Sequence, residues 1–496
     1  MAVSTVPTAL PTSTSAPVGA TRAQRSPTPR WTVLLTSIAC FMVSLDALVV
    51  LTALPAIHRD LGASLATLEW TVNAYTLAYA AGVITAAALG DRFGRRRVFS
   101  IGLALFSLAS AACALAPNVG LLITFRVLQG MGAAIVTPLS LTILTAAFPP
   151  ARRGAIVGLW GGIGGLAVAG GPLVGGAITQ GLDWHWIFWV NVPIGLVAAA
   201  LSVFFLAESR GPTTRFDLPA VALVSAGACS LVWGLVHAGD QGWGNAGTLV
   251  ALGLGVALLA AFVAWERRAS APMLPLRLFR NQRFTAANIT GFLMSAGITG
   301  AAFLVTQYFQ LGLGFAPLAT GLRLLPWTAT PIVCAPVAGM ISDRVGRRPI
   351  MVAGMLLQGS GLLWMSLLAS AGVGYATLVM PLIIMGVGMS MALATTSTAA
   401  LSAVAPQDLG KASGANTTLQ RFGSVFGVAM ATAVFTAHGR LGAPASFDAG
   451  FRPALLMIAA LSLLGVASAA AVGSWRRRAP SMAQAAPAVM GVAPTR

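Results

Sequence analysis

Charge is what this chain has least of. Only 8% of its 496 residues are charged and 12 are acidic, while 57% are hydrophobic and the mean hydropathy is +0.82. That balance places most of the chain in lipid and leaves no soluble domain of useful size. Lysine is nearly missing: of 30 basic residues only Lys411 is not an arginine, which with the abundant Ala and Gly fits a high-GC bacterial genome. A net charge of +18 in a soluble protein would suggest a nucleic-acid partner. Here the arginines fall in short segments between apolar runs, where they orient helices, so no nucleic acid is expected. Cysteine is scarce as well: Cys40, Cys113, Cys229 and Cys334 lie inside apolar runs with no pairable spacing, so neither disulfides nor a metal site is indicated. A Gly-x-x-x-x-Gly-Lys phosphate loop, a His-Glu-x-x-His pair and a nucleophile elbow are all absent. The sequence therefore argues against an ATP-driven pump and against an enzyme, and it calls for no cofactor.

What is present is a series of long apolar runs. Fourteen are long enough to cross a bilayer, beginning near Trp31, Glu69, Val98, Val119, Gly154, Trp186, Leu218, Gly247, Phe284, Ala319, Pro349, Tyr375, Gly410 and Phe451. With both termini on one side, that side holds 24 of the 30 Lys and Arg and the other holds 4, which predicts cytoplasmic termini. The expected fold is an all-α integral membrane protein, in a bacterial inner (cytoplasmic) membrane. Residues 1–30 and 476–496, the latter opening on Arg476, Arg477 and Arg478, read as disordered cytoplasmic tails. Trp31 to Ile57 is too long for a signal-peptide core and reads as a retained anchor. Trp184, Trp186 and Trp189 read as an interfacial aromatic belt, and His58, His185, His237 and His438 as solvated residues of outer loops.

Asp46 sits in the middle of the first run, where an ionisable group costs roughly 2.5 to 3.5 kcal/mol and therefore marks a transport or proton site. Counting 1.5 Å per residue from the outer ends puts Asp46 roughly 18 Å deep and Arg126 of span 4 roughly 10 Å deep. Gln129 falls between them, on the face of Arg126. A relay of Arg126, Gln129, water and Asp46 is geometrically allowed. Burial beside Met42, Val49 and Val50 favours the neutral acid, a nearby guanidinium favours the carboxylate, and a carrier can use that opposition. The alternative is a packed acid permanently paired with Arg126. The other eleven carboxylates map to loops or helix ends, so monocationic or neutral lipophilic substrates fit better than dications. In the second half, Asn416, Gln420 and Arg421 of span 13 are the best polar candidates for a substrate pocket, with helix packing as the competing role.

The stretch Leu89, Gly90, Asp91, Arg92, Phe93, Gly94, Arg95, Arg96 returns as Ile341, Ser342, Asp343, Arg344, Val345, Gly346, Arg347, Arg348, so the chain contains two related halves. The copies follow spans 2 and 10. Two extra spans, residues 218–267, must then lie between six-span halves. The domain plan is a bundle over 31–207, linker helices and a loop over 208–283, and a second bundle over 284–475.

At this point the chain resembles the major facilitator superfamily, specifically its fourteen-span drug:proton antiporters of the QacA/EmrB type. The likeness rests on those loops; on Leu45, Asp46, Ala53, Leu54 and Pro55; on Arg126, Gln129, Gly130 and Gly132; and on Gly170, Gly171, Pro172, Gly175 and Gly176 of span 5. Trp265 to Arg268, then Pro272, Met273, Leu274, Leu278, Phe279 and Arg280, match the loop after span 8. The chain departs at Leu48 and Leu51, where the family usually has Thr and Asn, which leaves Asp46 poorer in polar neighbours. Gln420 also precedes Arg421, where the subfamily frequently has Arg before Gln.

The resemblance implies two six-helix bundles plus two linker helices, and export of lipophilic drugs in exchange for protons. Asp46, Arg126 and Gln129 would couple protons. Gly171, Pro172, Gly175 and Gly176 would let span 5 pack closely and seal the inward route. Asp91, Arg92 and Arg95, with Asp343, Arg344 and Arg347, would latch the halves in one conformation. A proton-coupled permease or exporter for one metabolite shares the same fold and stays open as the alternative.

Overall fold

The computed structural model describes residues 29–211, 217–269, 272, 276–370, 372–405, 408–439 and 444–473. The two expected tails, with Arg476 to Arg478, and the loop residues Met273 and Leu274 lie outside the described residues, except that residues 29 and 30 already belong to the first helix.

Every described element is helical, as lipid requires of a chain that must satisfy its backbone internally. The first half runs α1 (Pro29–Leu61), α2 (Leu65–Phe93), α3 (Arg95–Ala114), α4 (Val119–Ala146), α5 (Pro150–Gly181), the single turn α6 (Trp186–Trp189) and α7 (Asn191–Phe205). A hairpin follows, α8 (Leu218–Gln241) and α9 (Ala246–Arg268). The second half comprises α10 (Gln282–Gln307), which ends in a π turn, α11 (Pro317–Thr328), α12 (Thr330–Val345), α13 (Arg347–Leu368), α14 (Tyr375–Ser402), α15 (Leu409–His438) and α16 (Pro444–Ala471).

Short connections fold successive helices back on one another. Side chains cap several starts: Ser64 accepts from Thr67 N–H, Asn118 from Leu121, Asp217 from Ala220 and Asn245 from Gly247. The repeated arginine loops turn on Gly94, at φ 107°, and Gly346, at φ 93°. A side chain would be strained at either angle, which explains the glycine in both copies of the motif.

Among the described residues, 12 helices or helix pairs are long and apolar enough to cross a membrane. A thirteenth is α2, whose parts Thr67–Val83 and Thr85–Phe93 meet at 50°. The expected span 10 is broken into α11 and α12, with Pro331 just past the break. The remaining expected span, α15, is long enough but carries Lys411, Asn416, Gln420 and Arg421 and is not among the 12.

The arginine-rich loops, with Arg92 and Arg95 to Arg97, Arg267, Arg268 and Arg344 to Arg348, define a basic face. At the far face one hydrophobic core runs through both halves, joining Val49, Leu54 and Ile57 of α1 to Tyr308, Phe309, Trp327, Phe435 and Phe451. Toward the basic face the core divides: one cluster around Phe99, Phe106 and Tyr79 belongs to the first half, and another around Phe284, Met351 and Met355 to the second. The halves are joined at the far face and have separate cores at the basic one.

Candidate functional site

Asp46 lies midway along α1 and is 2% exposed, and Arg126 of α4 is fully buried beside it. Arg126 Nη1 donates to Asp46 Oδ2 at 2.6 Å and to Gln129 Oε1 at 2.6 Å, while its Nε donates to the carbonyl of Thr71 at 2.9 Å. Gln129 Nε2 donates to Asp46 Oδ1 at 2.9 Å. These contacts are direct, so the water link expected between Gln129 and Asp46 is replaced by a hydrogen bond.

Sequence reasoning missed Asn191, at the start of α7, whose Nδ2 also donates to Asp46 Oδ1 at 2.9 Å. It missed Ser110 of α3 too, which accepts from Gln129 at 3.1 Å and from Asn191 at 3.2 Å and donates to the carbonyl of Phe188 at 2.9 Å. The expectation of poor polar surroundings for Asp46 is therefore corrected: α3 and α7 supply what Leu48 and Leu51 do not. A lone Asn inside the apolar run 186–205 was the available signal.

Above this cluster the Arg126 guanidinium lies 4.2 Å from the centre of the Tyr75 ring. Tyr75 meets Tyr79 edge-on at 6.2 Å, and Tyr79 carries the guanidinium of Arg421 at 4.3 Å. Two cations and two rings thus form one row from the first half into α15 of the second. Asn416 donates to Asn288 Oδ1 at 3.1 Å, and Gln420 donates to Asn416 Oδ1 and to Ser397 Oγ, each at 3.1 Å. The three residues picked from span 13 therefore share a polar seam, with Arg421 turned to the other half.

Three of the span 5 glycines, Gly171, Gly175 and Gly176, lie where neighbouring helices press close. A Cβ on Gly171 would come 2.7 Å from Leu48 Cβ, one on Gly175 would meet Thr52 and lie 2.7 Å from Val49 O, and one on Gly176 would run into the backbone of Pro317 in α11. Gly321 of α11 approaches the Pro172 carbonyl in return. Leu318 N–H donates to Gln180 Oε1 at 3.1 Å and Gln310 to the Thr52 carbonyl at 2.9 Å, so this closed seam is on the far-face side.

At the basic face Arg95 pairs with Asp91 at 2.8 Å inside the motif, and Glu208 accepts from Arg96 N–H at 3.0 Å. Arg92 lies over the Phe93 ring at 5.3 Å. In the second copy Arg347 donates to Ser402 of α14, while Asp343 and Arg344 are exposed. Each of these pairings stays within its own half.

Three other expectations need correction. Glu69, expected at a helix end, lies in the second turn of α2 but is fully buried and accepts from Asn73 at 2.5 Å, so Asp46 is not alone in being an enclosed acid. Trp184 is no belt residue: it is 3% exposed and donates to Asp60 at 2.9 Å. His58 and His438 sit in the last turns of α1 and α15, His237 lies within α8 one turn before its end, and only His185 is in a loop. There Asp183 lies in a lightly buried spot that acts to raise its pKa, yet hydrogen bonds from the backbone and ring of His185 outweigh this and hold it below the usual carboxylate range.

Two related helical halves, the first of which encloses a carboxylate–guanidinium pair at mid-helix, are the plan of a membrane transporter. The chain belongs to the Major Facilitator Superfamily, whose model matches residues 36–330 and again 287–489. It is 37% identical over 402 residues to the tetracenomycin C resistance and export protein of Streptomyces glaucescens, covering 80% of this chain and 74% of that one. It is 35% identical over 408 residues to the multidrug resistance protein Stp of Mycobacterium tuberculosis, covering 82% and 76%. Against the probable actinorhodin transporter of Streptomyces coelicolor the identity is 33% over 446 residues, covering 87% and 77%. In fold it is similar to a bacterial homologue of the human lysosomal transporter Spinster in an inward-facing and occupied conformation, with a TM-score of 0.65 at 15% identity over 91% of this chain and 97% of that one. It is equally similar to the peptide transporter POT in complex with sulfate, with a TM-score of 0.65 at 18% identity over 90% and 95%.

Proposed function

We propose that this transporter exports small lipophilic molecules from a bacterial cell across the cytoplasmic membrane in exchange for protons. In this reading α15 completes fourteen spans, and the basic face with both termini is cytoplasmic. The observation that carries the reading is the Asp46 cluster. As a carboxylate, Asp46 accepts from Arg126, Gln129 and Asn191. Protonation removes its charge and turns one acceptor into a donor, so the pair with Arg126 can no longer hold in this form. Asp46 sits on α1, which also packs on α5 and α10, so releasing it from α4 frees the helix that borders the far-face seam. A proton entering from outside would then favour one arrangement of the halves, and its loss to the cytoplasm the other. Relatives that bear the names of drug resistance and export proteins support the direction of transport.

With the basic face cytoplasmic, the joined far face and separate basic-face cores support an inward-open arrangement. In the opposite state the arginine loops would latch the halves: Asp91, Arg92 and Arg95 with their counterparts Asp343, Arg344 and Arg347.

The test is gradient-driven efflux from everted vesicles with a small panel, ethidium and the neutral dye Nile red, in wild type and Asp46→Asn with a protonophore control. Efflux of either that stops with protonophore and with Asp46→Asn supports the reading. Efflux that survives Asp46→Asn makes the acid a structural partner of Arg126 and sinks the coupling role.

A further inference from the structure

The expectation of a monocationic or neutral substrate leaves Asp46 as the group a cation would meet. Both Asp46 oxygens are occupied by donors of the first half, and the charge left facing the seam between the halves is positive. Arg421 is half-buried in the middle of α15. Among the described residues no carboxylate lies within 4.0 Å of it, and its one hydrogen bond is a long one, Nη2 to Tyr79 Oη at 3.4 Å. Arg126 has Asp46 as its counter-charge, whereas Arg421 has only the face of Tyr79. A cation–π contact is a weak substitute for an anion at membrane depth. Most of the guanidinium's five N–H donors therefore remain for a planar, two-oxygen partner.

The groups around it suit the rest of such a ligand. Cys40 and Ser44 of α1 pack on Gly164 of α5, a patch of small side chains on the first half. Gln420 turns the other way, to Ser397 and Asn416 within the second half, and leaves Arg421 to face Tyr79 of the first. The other charges behind this point are the paired Asp46 and Arg126, beyond Tyr75.

We propose that Arg421 and Tyr79 form the anion-recognition end of the substrate site, which takes lipophilic molecules bearing a carboxylate or ionised phenol. This deepens the exporter reading and rests on it for the ligand being cargo. The acid group would lie in the plane of the guanidinium, and the apolar body along the small residues of α1 and α5.

Equilibrium binding to the purified full-length protein in lipid nanodiscs tests this without any gradient. The probes are anthraquinone-2-carboxylate, its neutral methyl ester, and an anthraquinone bearing a trimethylammonium group. The carboxylate is expected to bind about tenfold more tightly than the ester, as a charge-assisted pair supplies. Arg421→Gln should erase that difference while leaving the ester unchanged, and Arg421→Lys, which retains charge but not the fork, should keep part of it. Tyr79→Phe should keep the preference, and Tyr79→Leu should weaken all three probes. Tightest binding by the cation, no binding by any probe, or a preference that survives Arg421→Gln overturns the proposal. Carboxylate binding without proton-driven efflux would instead overturn the exporter reading, and Asp46-dependent efflux without carboxylate preference would overturn this proposal alone.

Discussion

At the scale of single residues the decisive fact is that Asp46 and Arg126 are each enclosed and share one charge pair. Removing one partner of such a pair leaves the other charge buried alone, at a cost of about 3–5 kcal/mol. Arg126→Leu should accordingly lower the thermal midpoint of the purified protein sharply, and Asp46→Asn in the same chain should restore much of it. A midpoint unmoved by Arg126→Leu would mean that the acid is neutral in the folded state. Asn191→Leu removes one of the donors to Asp46 and should cost about 1–3 kcal/mol in the same melt, with reduced gradient-driven efflux. The acid and the arginine were legible in the sequence because ionisable groups in lipid are rare and each needs a reason. Asn191 and Ser110 were not, since amides and hydroxyls also serve as ordinary packing groups between membrane helices, and only the meeting of α1, α3, α4 and α7 gives these two a role. The same holds for Tyr79, whose meaning comes from Arg421 in a helix 342 residues away along the chain.

At the scale of the helix, the glycine run of α5 shows what a motif specifies and what it leaves free. Gly170 has nothing within 4 Å of where a Cβ would be, whereas Gly176 faces the α11 backbone directly. Gly170→Ala should therefore leave efflux and melting unchanged. Gly176→Ala should force α5 away from α11 and loosen the far-face seam. Spin labels at Leu182 and Ala316, read by pulsed electron resonance, should show a longer or broader distance in the second variant and the wild-type distribution in the first. Equal behaviour of the two variants would reduce the motif to general small-residue packing. The sequence suggested the segment as a place of close approach without saying which glycine makes the contact. Which glycine touches a neighbour depends on helix rotation, and with so many small residues on all sides of α5 the pattern does not define a face. The breaks were partly readable for the same physical reason that made them: Pro331 announces the end of α11, while the bend within α2 has no proline to signal it.

At the scale of the whole molecule, the repeated arginine loops implied two halves, and the position of the second copy implied an inserted pair of helices. The loops could not show how the pair is used. In the structure α8 packs against α2 of the first half and α15 of the second, joining Ala228 and Val232 to Leu77, Val425 and Ala429, while α9 packs chiefly on α8. The insertion therefore spans the seam between α2 and α15, the same two helices that carry Tyr79 and Arg421. If the halves rock during transport, α8 must slide on at least one of them, and the small residue at Ala228 keeps that contact smooth. A bulky side chain there should wedge the contact and slow turnover. Gly234 instead faces Leu252 of α9, where a Cβ would come within 2.8 Å, so Gly234→Leu should open only the hairpin. Ala228→Trp is thus expected to lower the maximal efflux rate several-fold with substrate affinity retained, and Gly234→Leu to lower the melting midpoint while leaving the rate near wild type. Comparing both rates and melts in one vesicle preparation separates an α8 that takes part in the motion from one that merely fills space beside it: equal effects of the two variants on rate would leave α8 no role in coupling the halves.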